Sequence, residues 1–329
     1  MKNLNLLFYW VKVFGYYVGL YIKIILLRVK FPEKVFLCIA MDGDLGDMVA
    51  SEPILPRLSQ KFRNTHITWI TSKKHFPLFE NHPLVNLLVD QKCTLLSYLL
   101  RKSNPFHHYY NLHLSGFRID ETTGVSISNA KADALGIDLS NYYDQHNLLE
   151  ISLKLCDLAI EDAQPRIYLN DIPYDVPFEK PYWVIHTKSN AGFRDWTDEN
   201  WHHLLTKIIA KWNVNIIEIG HVNPVNFAHK NFISLVGQTS LPETMKIMKG
   251  ASFFIGLDSG PTHLANAFML PGLILNGEFL NFKTYMSYSG MYKNSQKVKV
   301  LFNESGLAKD LPFDAVWKGL IKLNDKKNQ

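Results

Sequence analysis

Short apolar runs alternate with longer amphipathic stretches twice along this chain, once before and once after a proline-rich segment. The runs Val35–Ala40 and Tyr182–Thr187 each open such a series, and each is typical of a strand that is buried on both faces. Strand–helix alternation of this kind indicates a parallel sheet covered by helices. The chain therefore predicts an α/β protein with two Rossmann-like, open parallel-sheet domains that face a central cleft, because ligands of such sheets bind beyond the carboxyl ends of the strands.

The segment between the two series marks a domain boundary. Pro165, Pro173, Pro177 and Pro181 interrupt any regular element there, and 329 residues are most simply two domains. We predict a first domain over 31–165, a linker over 166–181, a second domain over 182–311 and a C-terminal helix with a polar tail over 312–329. Within the first domain the pattern predicts a loop over Met41–Gly46, one helix over Asp47–Phe62 and a mostly helical region over 126–159.

The first thirty residues differ from the rest because residues 4–29 are almost continuously apolar. The longest uncharged run, 13–22, falls short of the roughly 20 residues that a spanning helix needs. At about 100° per residue, Lys12, Lys23 and Lys30 lie within about 20° of one another on a helix. The segment 1–30 therefore predicts an amphipathic helix in an anionic membrane interface. A cleaved signal peptide, a helix packed on the protein's own core and a short tilted anchor remain as alternatives.

Composition removes several classes of protein. The cysteines Cys38, Cys93 and Cys156 are widely spaced, which excludes a disulfide scaffold and a zinc site built on CxxC pairs. The net charge of +5 is compatible with an anionic ligand or membrane and too small to indicate nucleic acid. We therefore expect no nucleic-acid partner.

The loop after Val35–Ala40 is rich in carboxylates. Asp42, Asp44 and Asp47 accompany Gly43 and Gly46. The loop has neither the GxGxxG spacing of a dinucleotide site nor the Gly-Lys-Ser/Thr end of a P-loop. Three acids repel phosphate, so the loop is suited to a hydroxyl or a cation. Asp42 and Asp44 could form a metal-binding DxD pair, and Asp47 could be a helix cap as well as a proton acceptor.

A second polar loop follows the strand that ends at Leu257. Pro261 fits the first turn of a helix, and the residues around it offer hydroxyl and backbone N–H groups at the positive end of the helix dipole. This arrangement predicts a site for a diphosphate. The alternative is structural, in which Asp258 and Ser259 cap the helix and His263 packs beneath it. The candidate donor-binding residues of this loop are Asp258, Ser259, Gly260, Thr262 and His263.

A third polar patch, 186–197, follows the strand that opens the second series. Lys188 and Arg194 lie in a glycine-containing loop and could close over the same anion. The equally weighted alternative is a solvated loop with Trp196 buried against a helix.

In order along the chain, several segments resemble the heptosyltransferase family (glycosyltransferase family 9), which has the two-domain GT-B fold. The segment 46–53 (GDMVASEP) resembles the family's Gly-Asp start, and 81–88 (NHPLVNLL) resembles its Asn/His-Pro-x-Val-Asp segment. Arg194-Asp-Trp196 stands where the family usually has Lys-x-Trp. The most specific block is 234–277, which contains GLDSGPTHLA at 256–265. The resemblance covers about residues 34–320.

This resemblance implies a function: inverting transfer of a sugar from a nucleotide diphosphate to a saccharide, without an essential metal or cofactor. Asp47, accompanied by Asp44, would be the general base on the acceptor hydroxyl. Ser259, Gly260, Thr262 and His263 would hold the donor diphosphate, and Arg194 with Lys188 would neutralise the leaving group. The expected acceptor is a lipopolysaccharide core or another lipid-linked saccharide. The expected location is peripheral, on the cytoplasmic face of a bacterial inner membrane.

The chain departs from the family around the expected donor pocket. Arg194 replaces a lysine and Thr197 a proline, and the acidic residue expected after Val214–Gly220 to hold a ribose is missing, so that Glu218 or Asn223 could serve instead. The turn after Gly277 also differs. These departures leave open a donor other than ADP-heptose. They also leave open a binding module that has lost catalysis. A nicotinamide-dependent oxidoreductase is disfavoured because GxGxxG is absent.

Overall fold

The computed structural model describes residues 2–91, 94–116, 126, 128–144, 146–170, 174–179, 181–304 and 306–325. The chain divides into two compact units. Unit 1 comprises Met1–Gly43, Pro53–Tyr142 and Glu150–Glu161, and unit 2 comprises Asp44–Glu52, Tyr143–Leu149 and Asp162–Gln329. Unit 2 therefore includes two segments that precede the linker expected at 166–181, and one of them is the acidic segment 44–52.

The strands alternate with helices along the chain. The strands are β1 (Val35–Ala40), β2 (Thr65–Thr71), β3 (Val85–Asp90), β4 (His108–Asn111), β5 (Tyr182–His186), β6 (Asn215–Glu218), β7 (Phe232–Ser234), β8 (Phe253–Leu257), β9 (Gly272–Asn276) and β10 (Val298–Phe302). The α-helices are α1 (Lys2–Lys30), α2 (Leu45–Ser51), α3 (Ile54–Phe62), α4 (Thr94–Ser103), α5 (Ala130–Ala134), α6 (Leu148–Leu155), α7 (Asp198–Trp212), α8 (Leu241–Gly250), α9 (Gly260–Ala267), α10 (Met291–Asn294) and α11 (Phe313–Asp325).

Unit 1 is built on a four-stranded sheet in the order β3-β2-β1-β4. β1 pairs in parallel with both β2 and β4, and five of its six residues are buried, as expected for a strand that is covered on both faces. One hydrophobic cluster joins β1 to α1 and α4. The N-terminal helix is therefore packed against the sheet of unit 1.

Unit 2 is built on a six-stranded parallel sheet in the order β10-β9-β8-β5-β6-β7. The residues of its central strands β5, β8 and β9 are all buried. β5 and β8 are paired neighbours, with His186 opposite Gly256, so their carboxyl ends lie side by side. Two all-parallel sheets with helices, together with an N-terminal helix, confirm the predicted α/β class.

The single helix predicted over Asp47–Phe62 is wrong, because α2 ends at Ser51 and α3 begins at Ile54. Pro53 lies between them, and proline has no N–H with which to continue the helical hydrogen bonding. α2 also begins at Leu45, inside the predicted loop. The carboxylate of Glu52 accepts the backbone N–H of Arg166 at 2.8 Å, which ties the end of α2 to a later segment of unit 2.

The second half of the first series is less helical than expected. Among the described residues of 126–159, only α5 and α6 are α-helical. The sequence reasoning also missed β7, β10 and α10. β7 and β10 are the edge strands of their sheet, and their residues are only partly buried. An edge strand needs no continuous apolar run, so its sequence signal is weak.

The apolar N-terminal segment is one long helix. Tyr9–Lys30 spans 22 residues with a mean hydropathy of 1.5 and is, by length and composition alone, sufficient to cross a membrane. Val13, Leu20 and Ile24 nevertheless lie in the core of unit 1. One side of this helix therefore packs on the protein's own core, which is one of the alternatives left open by the sequence.

Gly272 lets β8 and β9 approach closely, and a methyl group there should destabilise unit 2. A Cβ at this position would lie 2.8 Å from the Phe254 backbone oxygen and 3.1 Å from the Tyr292 hydroxyl. We expect Gly272→Ala to lower the free energy of unfolding by about 1–3 kcal/mol, as overpacking does. Urea unfolding measures this, with Gly192→Ala as control because a Cβ there meets nothing within 4 Å. Equal midpoints for the two variants would contradict the expectation.

Candidate active site

The site is built where the chain leaves β8 and enters α9. β8 ends at Leu257 and α9 begins at Gly260, with Pro261 in its first turn, where a missing N–H costs no hydrogen bond. Thr262 is buried, and its hydroxyl donates to the Leu257 backbone oxygen. The N-terminal end of α9, which carries a positive partial charge, is therefore held at the carboxyl end of β8.

Ser259 connects this turn to the neighbouring strand. Its hydroxyl donates to the Leu257 oxygen at 3.2 Å and lies 3.0 Å from Nδ1 of His186, the last residue of β5. Burial lowers the pKa of His186 to about 4, so the ring is neutral at pH 7. Because the ring is neutral, it adds no charge to the positive N-terminal end of the α9 dipole near pH 7.

Asp258 is a buried carboxylate with three hydroxyl partners. Tyr285 and Tyr288 donate to it at 2.6 Å each, and Ser287 donates at 3.1 Å. Burial by itself would raise the pKa of Asp258, but the charge of Arg194 and the two tyrosine hydroxyls outweigh it and hold the pKa below its ordinary value. Asp258 is thus an ionised group inside the protein, and it acts on any ligand through its partners.

Arg194 is the cation that faces Asp258. Its guanidinium lies 3.6 Å from the Asp258 carboxylate and donates to the Asp258 backbone oxygen at 3.0 Å. One face of the guanidinium covers the ring of Phe279, 3.9 Å from the ring centroid. Burial alone would lower the pKa of Arg194, but Asp258 and the nearby tyrosines raise it. Its Nε is buried and has no hydrogen-bond partner among the described residues, but the side chain as a whole is 22% exposed, so the guanidinium remains accessible to an anion.

Aromatic rings hold this ion pair in place. Tyr143 stacks on Tyr285 with 4.7 Å between ring centroids, and Phe282 meets Tyr143 edge-on at 5.4 Å. Phe193 stacks on Phe279 at 6.1 Å. The aromatic residues of this cluster surround the guanidinium and the tyrosines that donate to Asp258, which limits the movement of both charges.

The acidic helix α2 touches the first turn of α9. A Cβ on Gly46 would lie 2.7 Å from Cδ2 of His263, and a Cβ on Gly260 would lie 2.7 Å from Cβ of Leu45. Only glycines at these two positions allow the backbones to come this close. Both helices belong to unit 2, and Asp47 directly follows the residue of α2 that contacts α9.

Asp44 and Asp47 have different local roles. Asp44 is the N-cap residue of α2 and Asp47 is the third residue of the helix. The carboxylate of Asp47 accepts the backbone N–H of Asp44 at 2.9 Å. The cap suggested by the sequence is therefore present, but it starts at Asp44 rather than at Asp47. Asp47 is partly exposed.

His263 lies beneath this contact. It is 4% exposed and packs on the Tyr288 ring at 4.8 Å between centroids. Burial lowers its pKa to about 4, helped by the charge of Arg194 and opposed by Asp258. His263 is therefore neutral at pH 7, and its ring contacts both Gly46 of α2 and Tyr288. Packing beneath the helix, the structural alternative for His263, is what the structure shows, and donor binding by this residue stays a prediction.

Two other predicted donor ligands are occupied within unit 2. Lys188 pairs with Asp198 at 2.5 Å, near the start of α7. Glu218 is fully buried; its Oε1 accepts the Thr187 hydroxyl at 2.5 Å and the Val225 N–H at 3.0 Å. Glu218 thus fastens the chain that follows β6. The structure does not bring either residue into contact with Arg194 or Asp258 through the described interactions.

Asp42, the remaining acid of the first loop, belongs to unit 1. Its carboxylate accepts the Ser72 N–H at 3.0 Å and lies 3.7 Å from Nδ1 of His75. Burial alone would raise its pKa, but His75 and Ser72 lower it. Asp42 therefore anchors the end of β1. In the part of the chain that the structure describes, no group of three or more His, Cys, Asp and Glu residues could hold a metal ion.

The sequence reasoning missed His186, Tyr285, Tyr288 and Phe279. Each lies in or after a predicted strand, but nothing in the sequence indicates that the segment after β9 returns to the end of β8. The one available signal was three hydroxyl-bearing side chains in close succession at 285–288. Such a cluster after a buried strand is a reasonable candidate for the partners of a buried carboxylate.

The comparison with protein families agrees with this geometry. Residues 141–296 match the model described as glycosyltransferase family 9 (heptosyltransferase). The matched range contains Arg194, Asp258 and α9. The resemblance predicted from the motifs is confirmed over this range. No curated protein sequence matches the chain.

Solved structures show the same fold. A family 9 glycosyl transferase from Veillonella parvula DSM 2008 is 16% identical, with a TM-score of 0.65 over 89% of this chain and 97% of that one. ADP-heptose LPS heptosyltransferase II of E. coli is 16% identical, with a TM-score of 0.64 over 90% and 100%. The iron-containing dodecameric glycosyltransferase TibC of enterotoxigenic E. coli H10407 is 16% identical, with a TM-score of 0.60 over 89% and 77%. At this identity the likeness establishes the fold.

The two buried histidines make the stability of unit 2 dependent on pH. His186 and His263 have a pKa of about 4 in the folded protein and about 6.5 in an unfolded chain. The unfolded chain therefore binds more protons between these values, and the free energy of unfolding should fall with the pH in this window. Each histidine should contribute up to about 1.4 kcal/mol per pH unit.

Urea unfolding at pH 7, 6 and 5 measures this slope. We expect a shallower pH dependence in the His186→Gln, His263→Gln double variant than in the wild type, even where the variant is less stable overall. Identical slopes would mean that the two rings are not held neutral by burial.

Proposed function

We propose that the chain is an inverting glycosyltransferase that moves a sugar from a nucleotide diphosphate to a saccharide acceptor, with Asp47 as general base and without a metal. One observation carries this proposal: α2, which bears the partly exposed Asp47, packs on the first turn of α9 through Gly46, and the Arg194–Asp258 pair adjoins that turn. A base for the acceptor and positive groups for the leaving diphosphate are thereby close together within unit 2.

The donor side would rely on fixed positive groups. Backbone N–H groups in the first turn of α9 and the guanidinium of Arg194 would stabilise the diphosphate as negative charge develops on it. The guanidinium of Arg194, whose side chain is 22% exposed, is suited to a phosphate oxygen. Asp258 acts by holding the guanidinium, so it is a positioning residue. These groups would supply the charge stabilisation that a divalent cation supplies elsewhere.

The acceptor side would rely on Asp47. An acceptor hydroxyl attacks the anomeric carbon, its proton passes to the Asp47 carboxylate, and the bond from that carbon to the diphosphate oxygen breaks. The nucleoside diphosphate leaves with the electron pair, and a single displacement inverts the anomeric configuration. The hydrogen bond from the Asp44 N–H would orient the carboxylate; it also favours the ionised form, which is the form that accepts a proton.

The donor we propose is an ADP-sugar, ADP-heptose or a close relative. Its support is the family match and the likeness to a heptosyltransferase that acts with ADP-heptose. The aromatic residues after β9, Phe279 and Phe282, differ from the turn that the family pattern predicted there. We expect them to determine which sugar or base the chain accepts, since Phe279 lies against the guanidinium that would bind the diphosphate and Phe282 packs on the neighbouring Tyr143.

The acceptor we propose is a lipopolysaccharide core or another lipid-linked saccharide. We place the chain on the cytoplasmic face of a bacterial inner membrane, attached peripherally through residues 1–30. Support for this location comes from the length and apolar composition of α1 and from the heptosyltransferase likeness, since a membrane-bound acceptor is reached most readily by an enzyme held at the same surface.

A binding module without transferase activity is the second candidate function. The Asp47 carboxylate already accepts a backbone N–H, and Phe279 already covers one face of Arg194. A chain that binds an ADP-sugar but neither hydrolyses nor transfers it to lipopolysaccharide-core acceptors would establish this alternative.

Asp47→Asn should abolish most of the turnover and leave the fold and the donor site intact. Asparagine keeps an oxygen for the Asp44 N–H but cannot take a proton, and loss of a general base costs about 10²–10⁴-fold. We expect kcat to fall at least about a hundredfold with the Kd for ADP unchanged. Asp314→Asn is the matched control, because that carboxylate is exposed and lies on α11. Wild-type turnover in Asp47→Asn would refute the role.

Arg194→Lys should weaken binding of the nucleotide more than it affects stability. Lysine keeps the charge opposite Asp258, but it loses the flat face that covers Phe279 and the second donor for a phosphate. A lost charged hydrogen bond of about 1.5–3 kcal/mol corresponds to a Kd for ADP about 10- to 100-fold higher. Isothermal titration calorimetry measures it, with Arg166→Lys as a control outside the ion pair. An unchanged Kd would remove Arg194 from the donor site.

A further inference from the structure

Helix α1 has two apolar sides, and only one of them is covered by protein. Val13, Leu20 and Ile24 are at most 7% exposed and pack in the cluster that contains Phe36 of β1 and Leu100 of α4. This buried side runs along most of the helix.

The end of α1 is also attached to unit 1. The guanidinium of Arg28 donates to the Pro105 backbone oxygen at 2.9 Å and lies 3.1 Å from Nε2 of His107. α1 is therefore held to unit 1 from Val13 to Arg28, and it could not cross a bilayer without withdrawing its buried residues from the core.

The opposite side of α1 is an exposed apolar stripe. Its members recur every three or four residues and are 36–74% exposed: Val11, Phe14, Val18, Ile22, Leu26 and Val29. From Val11 to Val29 the stripe extends for about 27 Å at 1.5 Å per residue. A surface helix normally has charged and polar residues on its outer side, and a continuous apolar patch on a soluble protein marks an interaction surface.

Basic and aromatic residues border this stripe. At about 100° per residue, Lys12, Lys23 and Lys30 lie together about 110° to one side of the centre of the stripe, and all three are exposed. On the other side, about 90° away, lie Trp10, Tyr21 and Arg28. Lysines with long apolar stems and amphipathic rings are the residues that occupy the headgroup level of a membrane. The borders therefore complement an anionic lipid surface.

The neighbouring helix adds to this charge. Tyr98, Arg101 and Lys102 of α4 are exposed, and both cations lie within 6.0 Å of the Tyr98 ring centroid. α4 packs beside α1 in the same cluster. A second copy of this chain is a poorer occupant of the stripe, because two such helices would bring two sets of lysines to one seam.

We propose that the stripe Val11–Val29 is a lipid-binding surface by which α1 lies in the plane of an anionic bilayer, with its other side docked on unit 1. α1 is then neither a spanning helix nor a purely internal one. This inference deepens the membrane location given with the proposed function. The test measures binding to lipid, so a negative result would contradict this inference and leave the proposed sugar transfer unaffected.

The test measures binding of the full chain to vesicles of phosphatidylcholine with about one-third phosphatidylglycerol. Two carboxylates placed in the stripe, by Val18→Asp and Ile22→Asp together, should weaken the partition coefficient at least about a hundredfold, because charges would have to enter the acyl boundary. The matched control is Leu135→Asp, an exposed apolar residue of the same unit, which should bind as the wild type does. Lys12→Gln with Lys23→Gln should weaken binding to anionic vesicles and leave binding to pure phosphatidylcholine unchanged.

Two further measurements keep the proposal falsifiable. Because Val18 and Ile22 are exposed, the thermal midpoint of the double variant without lipid should match the wild type, and its Kd for ADP should be unchanged. A fluorophore sensitive to polarity, attached at Val11→Cys or at Val29→Cys, should report the same depth at both ends, with the labelled wild type as blank. Different depths at the two ends would show a spanning helix. Unchanged vesicle binding of the double variant would contradict the proposed lipid-binding surface. So would a double variant that loses self-association rather than vesicle binding.

Discussion

The contact between α2 and α9 is the constraint on which the candidate site depends. At Gly46 and Gly260 the two helices leave no room for a side chain. Asp47 directly follows Gly46, so this close approach brings the segment that carries it to the end of a helix where backbone N–H groups point outward. A larger residue at either position would separate the acid from the positive end of α9, and the two halves of the chemistry would no longer share one site.

A second constraint is a charge that the protein keeps ionised inside itself. Asp258 is 4% exposed, and a buried carboxylate is costly unless it is paired and hydrogen-bonded. Arg194 and the hydroxyls after β9 satisfy it. The carboxylate in turn orients a guanidinium that still has a donor to offer. The sheet, the turn before α9 and the aromatic segment thus together fix the orientation of the Arg194 guanidinium. The neutral His186 and His263 add no further charge.

Part of this arrangement could be predicted from sequence. The alternation that begins at Val35 and restarts at Tyr182 predicts two parallel sheets, because strand runs separated by helices have few other solutions. Pro261 after a buried strand predicts the polarised helix end. The break between α2 and α3 at Pro53 could also have been predicted, since proline rarely continues a helix. The partners of Asp258 could not be predicted. Tyr285 and Tyr288 reach it only because the segment after β9 folds back toward the end of β8, and a single sequence carries no signal for that path. The outward stripe of α1 was hidden for a similar reason, because both of its sides are apolar and only the packing distinguishes them.

The most direct measurement is a crystal structure of the full chain with a non-transferable ADP-sugar. We predict diphosphate oxygens within about 3.2 Å of backbone N–H groups in the first turn of α9 and of the Arg194 guanidinium, with the Asp47 carboxylate facing the anomeric carbon from the side opposite the diphosphate. A donor bound elsewhere, or an Asp47 carboxylate turned away from that carbon, would contradict the proposed transfer.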